Sequence, residues 1–189
     1  MRLAILAFAA MLATAQAAAQ VAEERSLQVD GETLRYTLRI HPADAHRFDP
    51  AQPLSPGAAL DTAKRLNQYL TAGKLEDAAL LSNAPKRRYA VLEAYREEVG
   101  EPEFRSVFAQ YFVPENRLEA EITIGEHTLL IWRLEQTARY AGLFLQNIEG
   151  RALMDDVPSE TRSQLHRLLE AWRNGEIRAP LRGAAATLR

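Results

Sequence analysis

Cysteine is absent from all 189 residues of the chain, which excludes disulfides, thiolate zinc sites, iron–sulfur clusters and cysteine nucleophiles together. Neither sign of charge prevails: 23 Lys and Arg face 25 Asp and Glu, a formal net charge of -2. Nucleic-acid binders advertise themselves by a strongly basic domain or stripe, so no nucleic-acid partner is expected. After the first dozen residues no long apolar run occurs, and no membrane span is expected. Also missing are the P-loop, G-x-G-x-x-G, G-x-S-x-G and H-E-x-x-H patterns. Phosphate-cradle, dinucleotide, serine-hydrolase and zincin readings therefore have no support, and no cofactor is expected.

What is present begins with a leader. Met1 and Arg2 precede an apolar run from Leu3 to Leu12, and small residues follow from Ala13 to Ala19. This order is that of a cleaved secretory signal over 1–19, cut after Ala17 or Ala19. The product is expected to be soluble, and periplasmic or secreted. With no cysteine at the cleavage region, a lipid anchor has no attachment atom.

Residues 26–40 read as a β-hairpin. Asp30–Gly31 suits a two-residue turn, and Leu34, Tyr36, Leu38 and Ile40 alternate with Arg35, Thr37 and Arg39. A linker over 41–57 carries Pro42, Pro50, Pro53 and Pro56, and sets the hairpin apart from a main domain at 58–177. That domain opens with helices. Leu60, Ala63, Leu66 and Leu70 form a stripe stopped at Gly73; Leu75–Leu81 is a short second helix; Pro85 and Pro102 open two more. The fourth carries Phe104, Val107, Phe108, Tyr111 and Phe112 at core-facing spacing.

The period then changes from 3.6 to 2. Leu118, Ala120, Ile122 and Ile124 predict a strand with one buried face, Gly125–Glu126 a tight turn, and 127–134 a central strand apolar on both faces. Strands over 139–148 and up to Asp155–Asp156 follow. A closing helix after Pro158 presents Leu165, Leu168, Leu169 and Trp172 and stops at Gly175, leaving a mobile tail at 178–189. The expected fold is α+β: N-terminal helices packed on one face of a curved four-stranded antiparallel sheet, with an N-terminal hairpin and a closing C-terminal helix. The succession "DTAKRLNQYLTAGKLEDAALLS", "YREEVGEPEFRSVFAQYF" and "NIEGRALMDDVP" resembles the helices-then-sheet order of NTF2-like, cystatin-type cone domains over about 58–157. That superfamily holds enzymes, ligand binders and interaction modules, so the resemblance implies a cone pocket without choosing its use.

Candidate site residues follow from this layout. With a strict two-residue turn, His127 and Arg133 join the face of Leu118, Ala120, Ile122 and Ile124, with Tyr111 and Tyr140 as neighbours in an anionic-ligand pocket. A three-residue turn places Trp132 there instead. His41, Asp44, His46 and Asp49 are competent metal ligands at a spacing that matches no standard site, and no metal is expected. Asp155 and Asp156 project to opposite faces, as one general base or as caps of the closing helix. Lys86, Arg87 and Arg88 occupy a helix's first turn, where cations are unfavourable, a placement that an acidic partner or a solvated face would explain. The expected function is a non-enzymatic ligand-binding or protein-interaction module of the bacterial envelope. Its partners would be a small hydrophobic or anionic ligand, or an envelope protein or second copy through the hairpin. The alternative is a small cofactor-free hydrolase, isomerase or dehydratase using a carboxylate or His127.

Overall fold

A computed structural model describes residues 22–42, 44–47 and 53–178; the leader expected at 1–19 and the tail beyond Arg178 lie outside them. The class is α+β. Six strands, β1 (Glu23–Val29), β2 (Glu32–Ile40), β3 (Arg117–Ile124), β4 (His127–Leu134), β5 (Arg139–Ile148) and β6 (Arg151–Met154), lie side by side in chain order, all antiparallel. Between β2 and β3 run α1 (Ala59–Thr71), α2 (Leu75–Ala79), α3 (Pro85–Val99) and α4 (Glu101–Ala109), and α5 (Glu160–Arg173) follows β6.

The expected four-stranded sheet is corrected to six. β2 pairs with β3 in register Leu38↔Ile122 and Ile40↔Ala120, so the hairpin continues the later strands. The cause is visible in its pattern: Leu34, Tyr36 and Leu38 belong to the same buried cluster as Ile122 and Ile131, and β3 satisfies backbone groups along the inner edge of β2.

Helices cover both faces of the sheet rather than one. Leu129 and Ile131 of β4 pack in the cluster that holds Leu165, Leu168, Leu169 and Trp172 of α5. Leu130 and Trp132, pointing the other way, pack with Ala63, Leu66, Leu70 and Phe104 from α1 and α4. In β3 the register shifts between Leu118 and Ala120. This bulge at Glu119 reverses the alternation, so Leu118 joins the core on the α1–α4 side while Ala120 and Ile122 join the α5 side. The four apolar residues of β3 thus do not share one face.

Local signals set the remaining geometry. Ile124 pairs with His127 across a two-residue turn in which Gly125 has φ +55, the positive value that glycine adopts without steric cost. α4 ends at Ala109 and tightens into a 3-10 turn over Gln110–Phe112, so the aromatic stripe of 104–112 spans two helix types. Gly142 of β5 lets α5 approach closely: a Cβ there would stand 2.6 Å from Leu169 Cδ2 and 2.9 Å from Leu129 Cδ1.

The sheet's two edges differ. Along β6, Ala152 N–H donates to the Pro56 carbonyl, Met154 N–H to the Leu81 carbonyl, and Thr62 Oγ1 to the Ala152 carbonyl. Along the outer edge of β1, no strand pairs among the described residues. Also among these, no helix is long and apolar enough to cross a membrane.

Candidate functional site

On the α1–α4 side, short helices leave a cavity of about 100 Å³ against β4, β5 and β6. Ala63, Leu66, Leu70, Phe108, Tyr111, Phe112, Trp132, Leu143 and Met154 supply its apolar wall, and Asn67 and Arg88 its polar points. Trp132 is 1% exposed, with the Phe112 ring centroid at 4.9 Å and His46 edge-on at 5.8 Å. Burial pushes the Tyr111 phenol above its ordinary pKa, with a smaller push from Tyr95. Arg88 is fixed by Asp156 in a two-point contact, Nε to Oδ2 and Nη2 to Oδ1, each 2.7 Å.

Farther along the same face, an open cleft of about 300 Å³ lies between the first turn of α1 and strands β2 to β5. Its polar wall includes Arg39, His41, Asp61, Glu121, Thr128 and Asn147. His41 Nε2 lies 3.0 Å from Glu121 Oε2, and Arg39 Nη1 lies 3.3 Å from Oε1. Burial pushes Glu121 up, but the hydrogen bond with His41 and the Arg39 charge outweigh it and hold the carboxyl below its ordinary range. A carboxylate so held is a poor proton acceptor at neutral pH.

The opposite face holds a third polar cluster. His127 Nδ1 lies 2.9 Å from Asp155 Oδ2, and Asn83 donates from Nδ2 to Asp155 Oδ1 and to Gln146 Oε1. Asp155 is 2% exposed. A carboxylate accepting from Nδ1–H leaves Nε2 with the lone pair in the neutral ring.

The five residues singled out from the sequence divide between the two faces. Tyr111 and Trp132 meet in the apolar cavity. His127, Arg133 and Tyr140 belong to the α5 side, where His127 pairs with Gln146 at one end of β4 and Arg133 with Tyr140 at the other. Six residues at ~3.4 Å per residue separate His127 from Arg133 by about 20 Å. Arg133 Nε lies 3.2 Å from Glu135 Oε1, and the Tyr140 ring sits 6.4 Å from Trp172.

The paired aspartates diverge, Asp155 to His127 and Asp156 to Arg88 and the Ser82 hydroxyl. Capping of α5 falls to Ser159, whose hydroxyl accepts from Arg162 N–H. In the 41–49 segment, His41 meets Glu121 and His46 meets Trp132, while Asp49 lies outside the described residues. Among the described residues no three His, Asp or Glu side chains are grouped so as to hold a metal ion.

The chain matches no family model, no curated protein and no solved structure. Its site must therefore be judged from its own geometry. Sequence reasoning missed the Arg39–Glu121–His41 group and the hub at Asn83. The alternation of β2 and β3 did place Arg39 and Glu121 on polar faces, but only the β2–β3 pairing, with Arg39 opposite Glu121, brings them together.

Proposed function

We propose that the protein is an exported, non-enzymatic binding module of the bacterial envelope that takes a small apolar group into the cavity beside Tyr111 and Trp132. The observation that carries this reading is the lining: nine apolar residues, four of them aromatic, around two polar groups, Asn67 and Arg88. Mostly apolar recesses with a few placed polar groups are the usual form of small-molecule sites. At about 100 Å³ the cavity is smaller than the ~150 Å³ that accommodates benzene, so it receives the end of a ligand rather than its whole. Export is proposed from the leader, and kinship with NTF2-like cone domains from the order of helices before strands.

Ala63 lines the cavity from α1, and Ala63→Leu fills it with a good helix former. Native mass spectrometry of the protein purified from its export compartment is expected to show a bound organic mass that Ala63→Leu lacks at an unchanged melting temperature. 1-Butanol, whose narrow alkyl end suits the cavity, is titrated as a probe and is expected to shift the Trp132 indole resonance in the wild type only. Equal occupancy in the two proteins, or a Trp132 resonance indifferent to 1-butanol, removes the cavity as the site.

A second reading, a small cofactor-free hydrolase, isomerase or dehydratase, is favoured by the His127–Asp155 contact, in which a buried carboxylate orients an imidazole. It requires a turnover that both His127→Gln and Asp155→Asn abolish. Turnover that survives either substitution eliminates it.

A further inference from the structure

The basic run Lys86, Arg87 and Arg88 opens α3 with no acidic residue in the first turn and no side-chain cap. Arg88 has its counter-charge in Asp156. Arg87 has none among the described residues: its Nη1 donates to the Asp156 main-chain carbonyl at 3.2 Å, and the side chain is exposed. From α5, Arg162 reaches the same cleft, which has a volume of about 210 Å³ and is walled by Arg87, Arg88, Val91, Asp156 and Arg162. The Arg162 guanidinium lies 5.7 Å over the Phe144 ring, and its buried Nε has no hydrogen-bond partner among the described residues. Three guanidinium groups therefore line one cleft with a single carboxylate, and both oxygens of that carboxylate are already engaged by Arg88.

We propose that this cleft binds a phosphomonoester dianion, with Arg87 and Arg162 as its two charge partners and Val91 against its organic substituent. The charge balance selects the ligand class. Among the described residues two of these guanidiniums remain without a carboxylate, and a phosphomonoester carries about −1.5 to −2 at neutral pH, where a carboxylate would neutralise only one. Guanidinium forks match phosphoryl oxygens geometrically. A partly desolvated cation such as Arg162, resting on an aromatic ring with an unpaired N–H, gains more from a counter-ion than a fully hydrated one does. Val91 is 57% exposed and follows Arg87 by four positions and Arg88 by three, so the three share one helix face. It gives an ester an apolar shoulder that inorganic phosphate cannot use. At ~30 Å³ per water the cleft equals about seven waters, enough for a phosphoryl group and its first carbons. Asp156 then has a positioning role, holding Arg88 flat against the cleft wall.

The test is calorimetric titration of the purified protein at fixed ionic strength with butyl phosphate, inorganic phosphate and butyrate. Butyl phosphate is expected to bind saturably, inorganic phosphate more weakly, and butyrate at least about tenfold more weakly than butyl phosphate. Arg87→Gln and Arg162→Gln are each expected to weaken butyl phosphate about tenfold or more, with Arg162→Lys partly restoring it. Because Arg87 is exposed, its loss leaves the melting temperature unchanged and separates binding from folding. Absence of saturable heat, equal affinity in the wild type and both Gln variants, or butyrate binding as well as butyl phosphate overturns the proposal. Phosphatidylcholine vesicles with and without phosphatidic acid distinguish the source of the phosphoryl group. Butyl phosphate binding together with Arg87-dependent capture by phosphatidic acid assigns the phosphoryl group to a lipid headgroup, and butyl phosphate binding without vesicle capture assigns it to a soluble ester.

Discussion

On one face of the sheet a single helix of 14 residues, α5, lays Leu165, Leu168, Leu169 and Trp172 on strands that return Leu34, Leu38, Ile122, Leu129 and Ile131. On the other, four helices of 5 to 15 residues turn over β4, β5 and β6 and leave β2 and β3 facing a cleft. One long stripe at 3.6-residue spacing can close a face completely. Four short pieces pack on one another as well as over the sheet, and helix ends bring polar groups and gaps with them. The apolar cavity and the Arg39–Glu121–His41 cleft both lie on this second face, so these two recesses accompany the less regular cover.

The largest expected effect tests whether the α5 face is the tightly closed one. Leu168 is 0% exposed, and Leu168→Ala is expected to cost about 2–5 kcal/mol in urea denaturation. Leu66 borders the existing cavity and is 6% exposed, so Leu66→Ala is expected to fall at the lower end of the same range or below it. If the two losses are equal, the difference in packing between the faces is not energetic.

A second, smaller effect probes the same face from the strand side. A methyl at Gly142 would press on Leu169 and Leu129, both buried. Overpacking of this kind typically costs about 1–3 kcal/mol, the value expected for Gly142→Ala. A neutral result would mean that α5 rides loosely on β5.

The regular parts of this architecture were legible in the sequence, and the contacts that make the candidate sites were not. Asp30–Gly31, Gly125 and the stripe of α5 act through neighbours a few positions away, and local periodicity reports which face a residue occupies. It does not report which strand lies alongside. The join of β2 to β3 spans the whole helical segment, His41 and Glu121 stand 80 positions apart, and Arg88 and Asp156 stand 68 apart. The bulge at Glu119 left no local sign either, since Leu118 to Ile124 alternates without interruption, yet it moves Leu118 to the opposite core. Tyr111 and Trp132 could be named from the sequence as site residues, but their separation from His127, Arg133 and Tyr140 follows from strand parity combined with helices on both faces.

The smallest effect divides the two faces by pH. Glu121 is held below the ordinary carboxylate value of about 4.5 because the contacts with His41 and Arg39 outweigh burial. A depressed folded-state pKa means that the unfolded chain binds the proton more readily, so this contribution to stability is complete above pH 4.5 and fades as pH falls through the folded-state value. The stability gap between the wild type and Glu121→Gln is expected to be widest at neutral pH and to shrink on acidification below 4.5. Urea denaturation across that range measures it, and parallel curves would show that the Glu121 contacts contribute nothing in solution. Leu168 sits in a cluster of wholly apolar and aromatic side chains, so the Leu168→Ala loss should stay constant over the same interval. Acid would then loosen the face that carries the clefts before the face that α5 closes.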